Sequence, residues 1–90
     1  MQKPELKLKK MLNVLEDSTI TKADFITYFY LVLISKNEEC QISISELAKK
    51  THQSLRQIFR SVENLDAKDY IQIEKTFIKQ SRGTNRYIIK

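Results

Sequence analysis

Ninety residues, 41% hydrophobic and 30% charged, suit one soluble globular domain with a single core rather than a disordered chain. The longest strongly apolar run, Phe25 to Ile34, falls well short of the roughly 20 residues that a membrane span requires. Charge is divided unevenly: residues 1–40 hold six lysines and six acids, and residues 41–90 hold ten lysines and arginines against five acids, so the whole net charge of +5 lies in the second half. An excess concentrated in this way points to a polyanionic partner, because neutralising phosphates releases counterions. No charged, apolar and small-residue cleavage pattern opens the chain. Cys40, the one cysteine, has no disulfide partner, so the expected compartment is the cytoplasm. Cys40 itself reads as a small apolar side chain, with nothing nearby to lower its pKa.

In chain order, Leu8, Met11, Leu12 and Leu15 recur at helical spacing with lysines between them, predicting an amphipathic helix over residues 6–15. Asp17, Ser18 and Thr19 break it. A second helix is expected over residues 22–36. Thr21 and Asp24 can form its capping box, and Ile20 and Phe25 a hydrophobic staple. Phe25 to Ile34 is apolar almost all round, so this helix needs cover on more than one face. Tyr28, Phe29, Tyr30, Val32 and Leu33 cannot all face one core, because successive residues step about 100° around the axis. Two readings follow: the first helix folds back over the second, or two subunits pair through these helices. The candidate dimerisation residues are Leu8, Leu12, Leu15, Phe29 and Leu33.

Asn37, Glu38 and Glu39 end the second helix, and Gln41 to Ile44 can form a short strand. Ser43 and Glu46 offer another capping box, with Ile42 and Leu47 as staple. The helix that follows buries Leu47 and Ala48, and Thr51, His52 and Gln53 make a turn. The next helix opens with Ser54, Leu55, Arg56 and Gln57, again with capping-box spacing. Within it Ile58, Val62 and Leu65 share one apolar face, which leaves Arg56, Gln57, Arg60 and Asn64 on the others. A helix with one buried stripe and such polar groups elsewhere can enter a DNA major groove.

The stretch from Glu46 to Ile71 resembles, without gaps, the helix-turn-helix of winged-helix transcription regulators of the MarR and SarA-like families, and the likeness extends to Lys90. Most relatives carry glycine where His52 and Asp69 stand, and both residue types tolerate the left-handed backbone implied there. Beyond the turn at Asp69, Tyr70 to Phe77 reads as a strand with Ile71, Ile73 and Phe77 on one face. Lys79 to Thr84 is a polar turn holding the single glycine, Gly83, and Asn85 to Ile89 returns as a third strand. The resemblance makes this hairpin the wing. Gln80-Ser81-Arg82 keeps the arginine usual there and lacks the preceding acid. Gly83-Thr84-Asn85-Arg86-Tyr87 is more similar to winged helices of plasmid and phage replication or maintenance proteins.

The expected fold is α+β, mainly α: a single winged helix-turn-helix domain of order α-α-β-α-α-β-β with a three-stranded antiparallel sheet. Residues 1–18 hold the N-terminal helix, 43–69 the helix-turn-helix and 70–90 the wing. The resemblance implies a double-stranded DNA partner, read by Ser54, Leu55, Arg56, Gln57 and Arg60 and touched in the minor groove or on phosphates by Lys79, Arg82 and Arg86. A homodimeric transcriptional regulator is the first expectation, a plasmid or phage replication or partition protein the second, and a winged-helix protein-binding module the third. Neither a metal nor a cofactor is expected, since His52 has no ligand-spaced Cys, Asp or Glu. With no Gly-rich phosphate loop, no HExxH and no nucleophile beside the lone histidine, the chain is not expected to be an enzyme. Any effector is unspecified.

Overall fold

The computed structural model describes residues 4–75 and 84–90. The elements are α1 (Pro4–Leu15), α2 (Lys22–Ile34), β1 (Glu39–Ser43), α3 (Ile44–Thr51), α4 (Leu55–Ala67), β2 (Ile71–Lys75) and β3 (Thr84–Ile89). This is the expected winged helix-turn-helix order, with one antiparallel sheet in which β3 lies between β1 and β2. Register sets Tyr87 opposite both Cys40 and Ile73, and Arg86 opposite both Gln41 and Glu74. Side chains alternate across a strand. Cys40, Ile42, Ile71, Tyr87 and Ile89 therefore point inward and are buried, while Gln41, Glu74 and Arg86 share the outer face. The inner face joins Tyr28, Leu31, Leu47, Ile58 and Leu65 from the helices in a single core. Burial raises the pKa of the Tyr28 hydroxyl to about 12 and that of the Cys40 thiol to about 11, so Cys40 is an inert core side chain. Phe77 lies outside the described residues.

Local chemistry starts each long element. The Thr21 hydroxyl accepts the Asp24 N–H at 3.1 Å and the Asp24 carboxylate accepts the Thr21 N–H at 3.3 Å, a complete capping box. Ser43 and Ser54 accept the N–H groups of Glu46 and Gln57, each at 3.1 Å. At both Ser43 and Ser54 the expected box is only half made; at Ser54 the Gln57 amide turns away and donates to the Ser61 hydroxyl at 3.0 Å. Ser61 is fully buried, so a partner for its oxygen outweighs a return bond to a cap already in water.

Helix α2 ends two residues before the expected end. The Ser35 hydroxyl donates to the Val32 carbonyl at 2.7 Å and its backbone is extended, a local alternative to the helical ladder. Asn37 and Glu38 follow with φ of 52° and 65°. With Lys36 and Glu39 exchanging backbone hydrogen bonds, they form a two-residue hairpin turn with the primed geometry, which reading Asn37 to Glu39 as a helix end did not foresee. The Lys10 ammonium at 2.7 Å from the Glu38 carboxylate ties α1 to that turn. His52 and Asp69, at φ of 56° and 66°, adopt the left-handed backbone expected of them.

Helix α2 sets the position of the helix-turn-helix through two polar bridges. The Asn64 amide of α4 donates to the buried Asp24 carboxylate at 2.7 Å. The Gln53 amide donates to both Thr27 at 3.1 Å and Thr51 at 2.9 Å, and those hydroxyls donate onward to the carbonyls of Ala23 and Leu47. The chain of bonds fastens the turn before α4 to the middle of α2. Hydrogen bonds to a charged group are worth about 1.5–3 kcal/mol net, and losing a partner for a buried one costs at least as much.

The α1–α2 loop is held from a distant part of the chain. Asp17 accepts the Thr19 hydroxyl at 2.6 Å, the Tyr70 hydroxyl at 2.7 Å and the Thr19 N–H at 2.9 Å. These donors, the Thr19 hydroxyl foremost, hold its pKa at about 2. A carboxylate whose pKa falls on folding contributes stability that is complete above its unfolded value near 4 and lost as the pH drops towards 2. In urea or thermal melts from pH 5 to pH 2, the stability difference between wild type and Asp17→Asn is expected to narrow below pH 4. A difference that stays constant through that window contradicts this account of Asp17.

Candidate nucleic-acid interface

Helix α4 is amphipathic along its length. Ile58, Ser61, Val62 and Leu65 are its buried line. At about 100° per residue, Arg56 and Arg60 stand on the side opposite that line, and both are exposed. Charge also changes along the axis: the first half carries Arg56 and Arg60, the second Glu63 and Asp66. A basic N-terminal half suits the docking in which the first residues of a recognition helix meet base edges. Lys49 and Lys50, exposed in the last turn of α3, and exposed His52 precede it.

The two flanks of α4 differ. On one, Gln57 and Asn64 face α2, and together with Arg60 they line a cleft with Thr21, Lys22, Ala23 and Asp24. Lys22 thus joins the basic edge, a residue missed because the charge count assigned the first forty residues no excess. On the other flank Leu55 and Phe59 are each 52% exposed. Leu55 was an expected contact residue; Phe59 was overlooked, although its four-residue spacing from Leu55 could have revealed it.

Of the expected recognition residues, Ser54, Leu55, Arg56 and Arg60 are exposed together on the first two turns of α4. Ser54 uses its hydroxyl as the cap, and Gln57 is half-buried on Ser61. Lys79 and Arg82 lie outside the described residues. Arg86, expected on DNA, makes ion pairs within the sheet. Its Nε donates to Glu39 at 2.9 Å, a second guanidinium nitrogen also reaches Glu39, and a third lies 3.3 Å from Glu74. Glu39 above all, and Glu74 after it, raise its pKa. The guanidinium clamps all three strands, a role set by register across the sheet.

The expected dimerisation residues form a second apolar surface. Helix α1 does fold back on α2, through fully buried Val14 and partly buried Met11. Leu8, Leu12 and Leu15 remain outside, from 51% to 63% exposed, and on α2 Ile26, Phe29 and Leu33 are exposed as well. Leu8, Met11, Leu12 and Leu15 line a shallow groove with Phe25 and Phe29, whose rings stack with centroids 6.3 Å apart. Among the described residues no group of three or more metal-ligating side chains is close enough to hold an ion, and no helix is long and apolar enough to cross a membrane.

No family model matches the chain, and no curated protein matches it by sequence. Solved structures do. The YusO protein from Bacillus subtilis superposes with a TM-score of 0.63 at 15% identity, over 96% of this chain and 56% of that one. A possible transcriptional regulator from Methanosarcina mazei Go1 superposes with the same TM-score at 22% identity, over 99% of this chain and 67% of that one. This chain therefore spans little more than half the length of the first and two thirds of the second. At these identities the likeness is one of fold alone.

Proposed function

We propose that this chain binds double-stranded DNA in a sequence-dependent way, as a small homodimeric transcriptional regulator without enzymatic activity. The observation that carries the reading is the exposed Arg56 and Arg60 on the basic half of a helix whose turn and body are both fastened to α2. Arginine can pair bidentately with guanine O6 and N7, and a glutamine amide with adenine N6 and N7. Gln57 reaches a base only by leaving Ser61, so its contact carries that extra cost. Lys22, Lys49 and Lys50 supply phosphate contacts beside the helix. The neighbouring structure described as a possible transcriptional regulator favours regulation over plasmid or phage replication and partition, which is the alternative role. Exposed Leu55 and Phe59 favour a second reading, a protein-binding module. A steep linear fall of log K with log salt distinguishes phosphate contacts from such docking.

On a cognate duplex, Arg56→Ala and Gln57→Ala are each expected to cost about 1–3 kcal/mol, with much smaller losses on random DNA. Arg86→Ala, which removes a clamp between strands, should leave the salt slope of binding unchanged. Fluorescence anisotropy titrations at several salt concentrations measure both quantities. Equal losses on cognate and random DNA contradict base reading by α4, and a slope reduced by about one unit returns Arg86 to the phosphate contacts.

The homodimer rests on the six exposed apolar residues of α1 and α2, a patch large for a small monomer. Pairing through it hides the patch and can set two recognition helices about 34–36 Å apart, matching an inverted-repeat site. Sedimentation equilibrium at micromolar concentration is expected to give the dimer mass, with Leu12→Glu shifting it to the monomer. A monomer mass for wild type, both free and with DNA, rules out the dimer.

A further inference from the structure

Leu55 and Phe59 carry chemistry that hydrogen-bonded base reading does not use. They stand four residues apart on one flank of α4, about 40° from each other around the axis, and each is half in water. The remainder of the exposed surface of this helix is charged or small: Arg56, Arg60, Glu63, Asp66 and Ala67. The pair also lies on a different helix from the apolar surface of α1 and α2.

We propose that Leu55 and Phe59 form an apolar reader for the C5-methyl groups of thymine in the major groove. This inference rests on the DNA-binding reading above and names what that helix recognises. The thymine methyl is the apolar group that a base pair presents in the major groove, and leucine and phenylalanine are suited to cover it. Surrounding charge selects this occupant. Arg56 and Arg60 directly follow the two apolar residues and Lys49 and Lys50 end the preceding helix, while Glu63 and Asp66 lie one and two turns beyond Phe59, so the positive charge gathers at the N-terminal end of the pair. A polyanion with methyl groups on its groove floor fits both features. A second copy docked through the same helix would set Arg56 and Arg60 against their own equivalents. Four residues of helix advance about 6 Å, close to two base-pair steps of 3.4 Å, so the two methyl contacts fall on thymines no more than about two steps apart.

The experiment selects a tight duplex for the full-length chain from a random pool and replaces its thymines one at a time by deoxyuridine, which removes the methyl alone. Burying one methyl gives about four-fold in affinity, so one or two positions are expected to show a loss of about three- to ten-fold. In Leu55→Ala and Phe59→Ala, measured singly, the thymine-to-uracil difference is expected to fall below two-fold at one position each. Both side chains are half-exposed, and circular dichroism confirms that each variant is folded. Wild type that binds tightly and tolerates uracil everywhere overturns the inference and leaves DNA binding standing. The same result follows if both variants keep the full uracil penalty at every position. No binding of wild type to any duplex removes the DNA-binding reading and this inference with it.

Discussion

Asp24 is a carboxylate held away from water in the first turn of α2, and three polar groups converge on its neighbourhood. It closes the cap with Thr21, lies where the helix dipole favours negative charge, and receives the Asn64 amide from forty residues along the chain. A buried charge is costly unless it is fully hydrogen-bonded. The position of α4 relative to α2 is therefore constrained beyond what apolar packing alone specifies. With Thr27 and Gln53 one helical turn further on, α2 grips the body of α4 and the turn before it. The outward line of Arg56 and Arg60 is fixed by those grips, and every reading of the interface depends on it.

The sheet adds an independent constraint. Arg86 sits on the central strand between Glu39 and Glu74 and links β1 to β2. Exposed ion pairs contribute little net stability, so the clamp selects strand register more than it stabilises the fold. The basic edge of the helix-turn-helix then rests on Lys22, Lys49, Lys50, Arg56 and Arg60.

What could be read from the sequence was local. The caps at Thr21, Ser43 and Ser54 depend on residues three apart, and the buried line of Ile58, Val62 and Leu65 on helical spacing, so the helix starts and the buried face were legible from the residues. The fold class and the place of the helix-turn-helix came with the resemblance carried by Glu46 to Ile71. His52 and Asp69 were legible through the resemblance, which places glycine at both positions, and their residue types tolerate the left-handed backbone implied there. Glu38 was not, since glutamate rarely adopts one and a partner on α1 accompanies it here. Contacts across the fold escaped the reading: Asp24 with Asn64, Tyr70 with Asp17, and Arg86 with two acids each join distant segments. The leucine stripe of α1 was legible as an apolar face, and only its neighbour was left open. Spacing identifies an apolar face without naming its neighbour, and it was Val14 that the core took.

Two surfaces thus divide the work proposed for this chain, a basic edge around the start of α4 and an apolar face on α1 and α2. The most direct test of the central claim is a nuclear magnetic resonance titration of the 15N-labelled chain with a selected duplex. The account predicts that the largest amide shifts fall on Lys22, Lys49, Lys50 and Ser54 to Arg60. Shifts confined to Leu8, Leu12, Leu15 and Leu33, with the start of α4 unchanged, would contradict it.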